Sequence, residues 1–170
     1  NKYSFIQLCD KIGLPTPRTY LLENDSDVTA QEMTAAKKVF KSVWSRFGSD
    51  VLIQPDVAKL RRIQPTTSAP WIAQDFLAGN EISAYAAAHQ GRVVALVAYQ
   101  GIVRAGPGAA VCFKSVDTNL VRSFVINFVQ ATTWTGQISF DFIQTDNGQV
   151  LPLECNPRAT SGLHFFTETL

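Results

Sequence analysis

The sequence predicts an α+β protein of two lobes, a small one ending near residue 78 and a sheet-rich one from residue 79 to residue 170. Three observations carry this expectation. Apolar residues at helical spacing open the chain, long alternating strand patterns take over after Gly79, and Asn147-Gly148 marks a tight hairpin near the end. With 170 residues, 46% hydrophobic and 17% charged, the chain has the composition of a folded domain with a sizeable core.

The elements follow in order. Tyr3, Phe5, Ile6, Leu8, Cys9 and Ile12 recur at helical spacing over residues 3–12, and Gly13 and Pro15 stop that helix. "RTYLL" (18–22) reads as a short strand, and "TAQE" (29–32) as a capping box opening a helix to about Lys38. "VFKSVW" (39–44) and "VLIQP" (51–55) read as strands around the loop "SRFGS", "DVAKLRRI" as a short helix or a loop, and "PWIAQDFL" (70–77) as a strand. Then comes a long hairpin turning at Gln90-Gly91, a strand "GAAVCFKSV", a helix from Asn119 to Ala131, and the strand pair "GQISFDFIQTDNGQVLPLEC". "SGLHFFTETL" is expected to start a final helix.

Charge and cysteine content exclude several classes. A net charge of +1 leaves no electrostatic footprint for nucleic acid or a membrane surface. No apolar run approaches the ~20 residues of a membrane-spanning helix. The opening "NKYSF" has neither an initiator Met nor a secretory pattern, so the chain reads as a piece of a longer protein. Cys9, Cys112 and Cys155 are scattered among apolar neighbours and read as buried free thiols of a cytoplasmic protein. Neither they nor the two histidines have zinc-ligand spacing.

The hairpin "SFDFIQTDNGQVLPLECNP" carries the chemistry. A two-residue loop at Asn147-Gly148 pairs Asp146 with Gln149, which sets Asp141 opposite Glu154 and Ser139 opposite Asn156. Because side chains alternate faces, Ile138, Phe140, Phe142, Leu151, Leu153 and Cys155 form a buried face. Ser139, Asp141, Glu154 and Asn156 form the other, with Ile143 and Pro152 nearer the turn. Opposed carboxylates repel across a sheet, so they shift a pKa or share a cation. Two carboxylates and an amide oxygen suit Mg²⁺, which takes one or two carboxylates and completes its shell with phosphate oxygens. The other reading is a solvated outer face on which the acids point into water.

With Asp141, Glu154, Asn156 and Arg158 in place, the sequence resembles the ATP-grasp superfamily, and "ECNPR" looks most like the large chain of carbamoyl-phosphate synthetase. The resemblance implies two α+β lobes with ATP between them, one small and β-grasp-like, the other built on a larger antiparallel sheet. It implies that Lys2 and Lys41 reach phosphates, the latter ahead of a flexible loop over the triphosphate. It implies further that Gln74 and the backbone of Asp75, Phe76 and Leu77 meet the adenine edge, and that Glu81 takes the ribose hydroxyls. Asp141, Glu154 and Asn156 would hold Mg²⁺ (or Mn²⁺), with Arg158 near the transferred phosphoryl group. Lysine as a mobile point charge and arginine as a bidentate donor suit those roles. Arg46 and Arg104 are placed by the sequence either at a phosphate or acceptor, or in solvent, and His164 is a helix residue rather than a catalyst. Departures from the family's pattern are Ser42 where Lys-Pro is common, a loop with one glycine, and Ser139 where the D-alanine ligases carry arginine.

The function these residues imply is an ATP- and Mg²⁺-dependent ligase that activates a carboxylate or bicarbonate as an acyl phosphate for an amine. The alternatives are a nucleotide-binding module without turnover and a kinase-like phosphotransferase. Small-molecule carboxylate and amine partners are expected, no nucleic acid or membrane, and a homo-oligomer is compatible with the sequence.

Overall fold

The computed structural model describes residues 1–44, 50–104 and 110–166. The loop "SRFGS" with Arg46, most of "AGPGAA", and the last four residues of the expected final helix lie outside the described residues. The chain divides into two compact units, Asn1–Ile6 with Pro17–Leu77, and Gln7–Thr16 with Ala78–Leu170.

Helix α1 (Lys2–Lys11) opens the chain, and Gly13, at φ 75°, follows its end. The sheet of the first unit comprises β1 (Thr19–Leu22), β2 (Lys38–Ser42), β3 (Val51–Ile53) and β4 (Trp71–Asp75), in the order β1-β4-β2-β3. Every pairing is antiparallel. The helix expected from the capping box starts earlier than its signal. Asn24 caps α2 (Asp25–Gln31) by accepting from the Asp27 N–H at 3.1 Å, and "TAQE" falls at the helix end. A 3-10 helix, Glu32–Lys37, continues it. Asp56 accepts from the Lys59 N–H at 2.7 Å, which settles "DVAKLRRI" as a helix, α3 (Val57–Leu60). Leu22, Val28, Ala35, Phe40, Leu60, Ile63 and Ala73 make the core of this unit, with Leu52 and Trp71 against it.

The second unit is built on β5 (Gly79–His89), β6 (Arg92–Arg104), β7 (Ala110–Val116), β8 (Gly136–Thr145) and β9 (Val150–Asn156). Their order is β7-β6-β5-β8-β9, again antiparallel throughout. Helix α4 (Asn119–Ala131) has the expected bounds and buries Val121, Phe124, Val125, Phe128 and Val129 along one stripe. Its phenylalanines meet the sheet edge-on: Phe124–Phe142 at 5.0 Å, Phe128–Phe140 at 5.1 Å and Phe124–Phe140 at 5.6 Å between ring centroids. Such pairs add about 0.5–1.5 kcal/mol each beyond area burial. This anchors one face of the sheet and leaves the other for polar side chains. In place of the expected final helix, a short 3-10 helix, Ser161–Phe165, lies on that second face.

The β8–β9 hairpin differs from expectation near its turn. The Thr145 N–H donates to the Gln149 carbonyl at 2.8 Å and the Gly148 N–H to the Thr145 carbonyl at 2.9 Å, so the loop has three residues, with Gly148 at φ 82°. Asp146 therefore does not face Gln149, and Phe142 faces Pro152 rather than Leu153. An irregularity between Asp141 and Phe142 inserts Leu153 and shifts the register by one residue. Beyond it Asp141 pairs with Glu154 and Ser139 with Asn156, as the shorter loop had implied. Pro152 is thereby buried, opposite Phe142 instead of on the polar face.

The cysteines also differ in part. Cys9 is buried and Cys155 half-buried, whereas Cys112 is exposed on the edge strand β7. No helix among the described residues is long and apolar enough to cross a membrane.

Candidate active site

In the second unit the site is a row across four strands. Tyr99 on β6 pairs with Ser83 on β5, Ser83 with Asp141 on β8, and Asp141 with Glu154 on β9. Ser83 Oγ donates to Asp141 Oδ1 at 2.7 Å. Asn156 Nδ2 approaches Asp141 Oδ2 at 3.4 Å, and Arg158 donates to Asn156 Oδ1 at 3.3 Å. Asp141, Asn156 and Arg158 therefore form one hydrogen-bonded group with Glu154 paired beside it; Arg158, expected from alternation on the strand face, lies instead in the turn after β9. Burial pushes the Asp141 carboxyl above its ordinary value; the Ser83 hydrogen bond opposes that, the Glu154 and Glu81 charges add to it, and Arg158 offsets it.

Glu81 lies on the same strand two residues before Ser83, paired with Ile143, and its carboxylate is ion-paired with Arg104. Among the described residues no three His, Cys, Asp or Glu side chains are placed to hold a metal ion. The candidate set for a divalent cation therefore comprises two carboxylates and an amide. It fits Mg²⁺ in its chemistry, because opposed acids with a carboxyl driven toward neutrality are the arrangement a hard cation relieves.

In the first unit Lys41 Nζ donates to Gln74 Oε1 at 2.9 Å, Gln74 Nε2 to Thr19 Oγ1 at 3.0 Å, and the Thr19 hydroxyl to the Pro17 carbonyl at 2.8 Å. Gln74 is 1% exposed, and its amide is engaged at both ends by this chain. Asp75 is bound to Lys38 at 2.8 Å, and the Lys38 ammonium sits 4.5 Å from the Tyr20 ring centroid. The Asp75 N–H donates to the Arg18 carbonyl and the Phe76 N–H to the Lys37 carbonyl, both at 2.9 Å. No backbone hydrogen bond of this kind is made by the Leu77 N–H among the described residues. Lys2, at the start of α1, is 8% exposed. A surface depression of about 500 Å³ lined by Tyr20, Lys37, Lys38, Asp75 and Phe76 belongs to the Lys38 face of β2. Lys41, three residues on, takes the opposite face.

Sequence reasoning missed Ser83, Thr19 and Lys38. Ser83 had a usable signal, since it alternates with Glu81 on a strand that pairs with β8; the other two depend on β1 and β2 both flanking β4, which no local pattern announces.

The sequence profile of the ATP-grasp domain matches residues 1–162, and the chain belongs to the ATP-grasp family. No curated protein matches it. Similar solved structures include an ADP complex of PurK, an N5-carboxyaminoimidazole ribonucleotide synthetase (18% identity, TM-score 0.71, covering 96% of this chain and 46% of that one). Phosphoribosylamine–glycine ligase from Thermotoga maritima is similar at 20% identity and TM-score 0.71, with 93% of this chain and 47% of that one covered. The ATP-grasp ligase PsnB with its minimal precursor, Mg and ADP follows at 17% identity and TM-score 0.64, covering 94% and 51%. These likenesses establish the fold. The chain spans about half the length of those proteins or less.

Proposed function

We propose that this chain is the ATP-binding part of an ATP- and Mg²⁺-dependent ligase that activates a carboxylate or bicarbonate as an acyl phosphate for attack by an amine. The observation that carries the reading is the Asp141–Glu154 pairing with Asn156 on one sheet face and Arg158 in the turn that follows, in a chain of the ATP-grasp family. Asp141, Glu154 and Asn156 would hold the divalent cation, Mg²⁺ or Mn²⁺, which supplies charge neutralisation at phosphate oxygens when bound. For that role the Asn156 amide turns its oxygen toward Asp141 and gives up the bond from Arg158, which is then released toward phosphate. Lys41, aimed by Gln74 and Thr19, addresses a phosphate, as does Lys2. The Asp75–Leu77 backbone reads the adenine edge through the Leu77 N–H and a carbonyl, and Glu81, exchanging Arg104 for the sugar, holds the ribose.

In the reaction a carboxylate oxygen attacks the γ-phosphorus, the bond to the β-phosphate oxygen breaks, and ADP leaves. The amine nitrogen then attacks the acyl carbon, phosphate departs, and the nitrogen's proton passes to solvent. Arg158 stabilises the charge on the transferred group. Catalysis of this kind consists of positioning and neutralisation, so no covalent nucleophile is required of the chain. The likeness of "ECNPR" to the carbamoyl-phosphate synthetase large chain makes bicarbonate one carboxylate to test. Three free thiols favour a reducing cytoplasm as the setting, and self-association is left to measurement of mass in solution.

The test is ADP release with Mg-ATP and a panel of carboxylates, with and without amines. A ligase sustains multiple-turnover ADP release only with both acceptors; sustained release with a single acceptor indicates a kinase, and none indicates a binding module. Glu154→Gln is expected to abolish turnover and keep the fold. Turnover unchanged in that variant overturns the assignment.

A further inference from the structure

The segment that follows Arg158 carries a relay of three hydroxyls on the polar face of the second unit's sheet. Ser139 Oγ donates to the Arg158 carbonyl at 3.3 Å and lies 2.9 Å from Thr160 Oγ1, which in turn lies 3.0 Å from the Tyr99 hydroxyl. A carbonyl only accepts, so where Ser139 donates to Arg158, Thr160 donates to Ser139 and Tyr99 to Thr160. Ser139 is 2% and Tyr99 4% exposed, so each link is worth more than it would be in water and each unmade link costs more.

The relay's origin is fixed by packing. The Tyr99 ring stacks on Phe165 at 5.4 Å and meets Phe113 edge-on at 5.5 Å. Gly162 passes so close over the sheet that a Cβ there would stand 2.3 Å from Tyr85 Cβ and 2.8 Å from Tyr99 Cε1. The relay's end is the turn in which the Arg158 N–H donates back to the Asn156 carbonyl at 2.8 Å.

We propose that Tyr99 and Thr160 are positioning residues: their hydroxyls, through Ser139, hold the Asn156–Arg158 turn so that the guanidinium stands where the terminal phosphoryl group of the nucleotide binds. The proposal rests on the reading of Arg158 as the group that addresses that phosphoryl. It gives a role to the "ATSG" run, which the metal and nucleotide assignments leave unused.

The test measures the preference for Mg-ATP over Mg-ADP by titration calorimetry, since Arg158 serves only the phosphate ADP lacks. Arg158→Gln is expected to lose the preference. Thr160→Val, which keeps the shape and removes the donor, is expected to lower it roughly tenfold, the worth of one charge-assisted contact, with the Mg-ADP affinity unchanged. Tyr99→Phe, which keeps the ring stack, should fall the same way, and Thr160→Ser should restore the preference. If Thr160→Val and Tyr99→Phe keep the wild-type preference while Arg158→Gln loses it, the hydroxyls only pack the segment and the proposal is overturned, whatever happens to the melting temperature. If Arg158→Gln keeps the preference, the assignment of Arg158 fails first and takes the relay's role with it.

Discussion

Asp141 concentrates the electrostatic conflict of the second unit: it is half-buried, faces Glu154, and accepts from Ser83 at 2.7 Å and more distantly from Asn156. Its raised folded pKa means that its stabilising contribution is complete below the unfolded value of about 4 and is lost as pH rises through the folded one. In chelator near neutral pH, Asp141→Asn is therefore expected to raise the thermal midpoint, with the advantage vanishing as the pH falls below about 4; equal midpoints at both ends of a pH series contradict this. The thiols give a second residue-scale expectation. Burial pushes Cys9 and Cys155 up to about 12, whereas Cys112 is exposed. Native protein treated with iodoacetamide at mildly alkaline pH should gain one adduct per chain by mass spectrometry, at Cys112. At this scale the sequence was legible where chemistry repeats with strand period: Asp141, Glu154 and Asn156 meet as their spacing implied, whereas Arg158 reaches them from the turn after β9. Gln74 was not, because its partners Lys41 and Thr19 sit on two different strands, and only the order β1-β4-β2 brings both to it.

Among elements, the α4 stripe and the Gln90-Gly91 hairpin were readable from periodicity and turn chemistry alone. The β8–β9 hairpin shows how far such reading reaches. The loop is one residue longer than the Asn-Gly pair suggests, and the Leu153 insertion cancels the difference before Asp141 is reached, so the expected pairing arises by another route. Bulges leave little local signature, since Leu153 suits a regular strand equally well. The terminal segment was expected to be helical, yet Gly162 pressed against Tyr85 and Tyr99 confines it to a 3-10 turn. Gly162→Ala should cost about 1–3 kcal/mol by overpacking. Gly148→Ala, at φ 82° with nothing within 4 Å, should cost about 1 kcal/mol from backbone strain alone. Denaturant midpoints of the two variants check the ordering.

For the molecule as a whole, two units with separate cores make a single unfolding midpoint an operational quantity, to be read by ligand-dependent shifts. Saturating Mg-ATP at about a hundred times its dissociation constant should add about 2.7 kcal/mol of apparent stability. Glu154→Gln should lose most of that increment, and EDTA should abolish it in the parent chain; a shift that survives chelation speaks against a metal at Asp141 and Glu154. The fold class was the most legible level of all, because strand length and charge alternation change at Gly79, where β5 begins; the expected small lobe of residues 1–78 departs from the compact units, which group residues 7–16 with the second one.

The extra residue at Leu153 also separates the hairpin tip from the Asp141–Glu154 pair. Residues 146–149 are exposed and lie on the far side of the irregularity from Glu154, and exposed tips of this kind accept insertions. A short peptide tag or a dye-bearing cysteine placed after Asn147 should therefore leave nucleotide binding at the parent value, giving the protein a handle for immobilisation and single-molecule work.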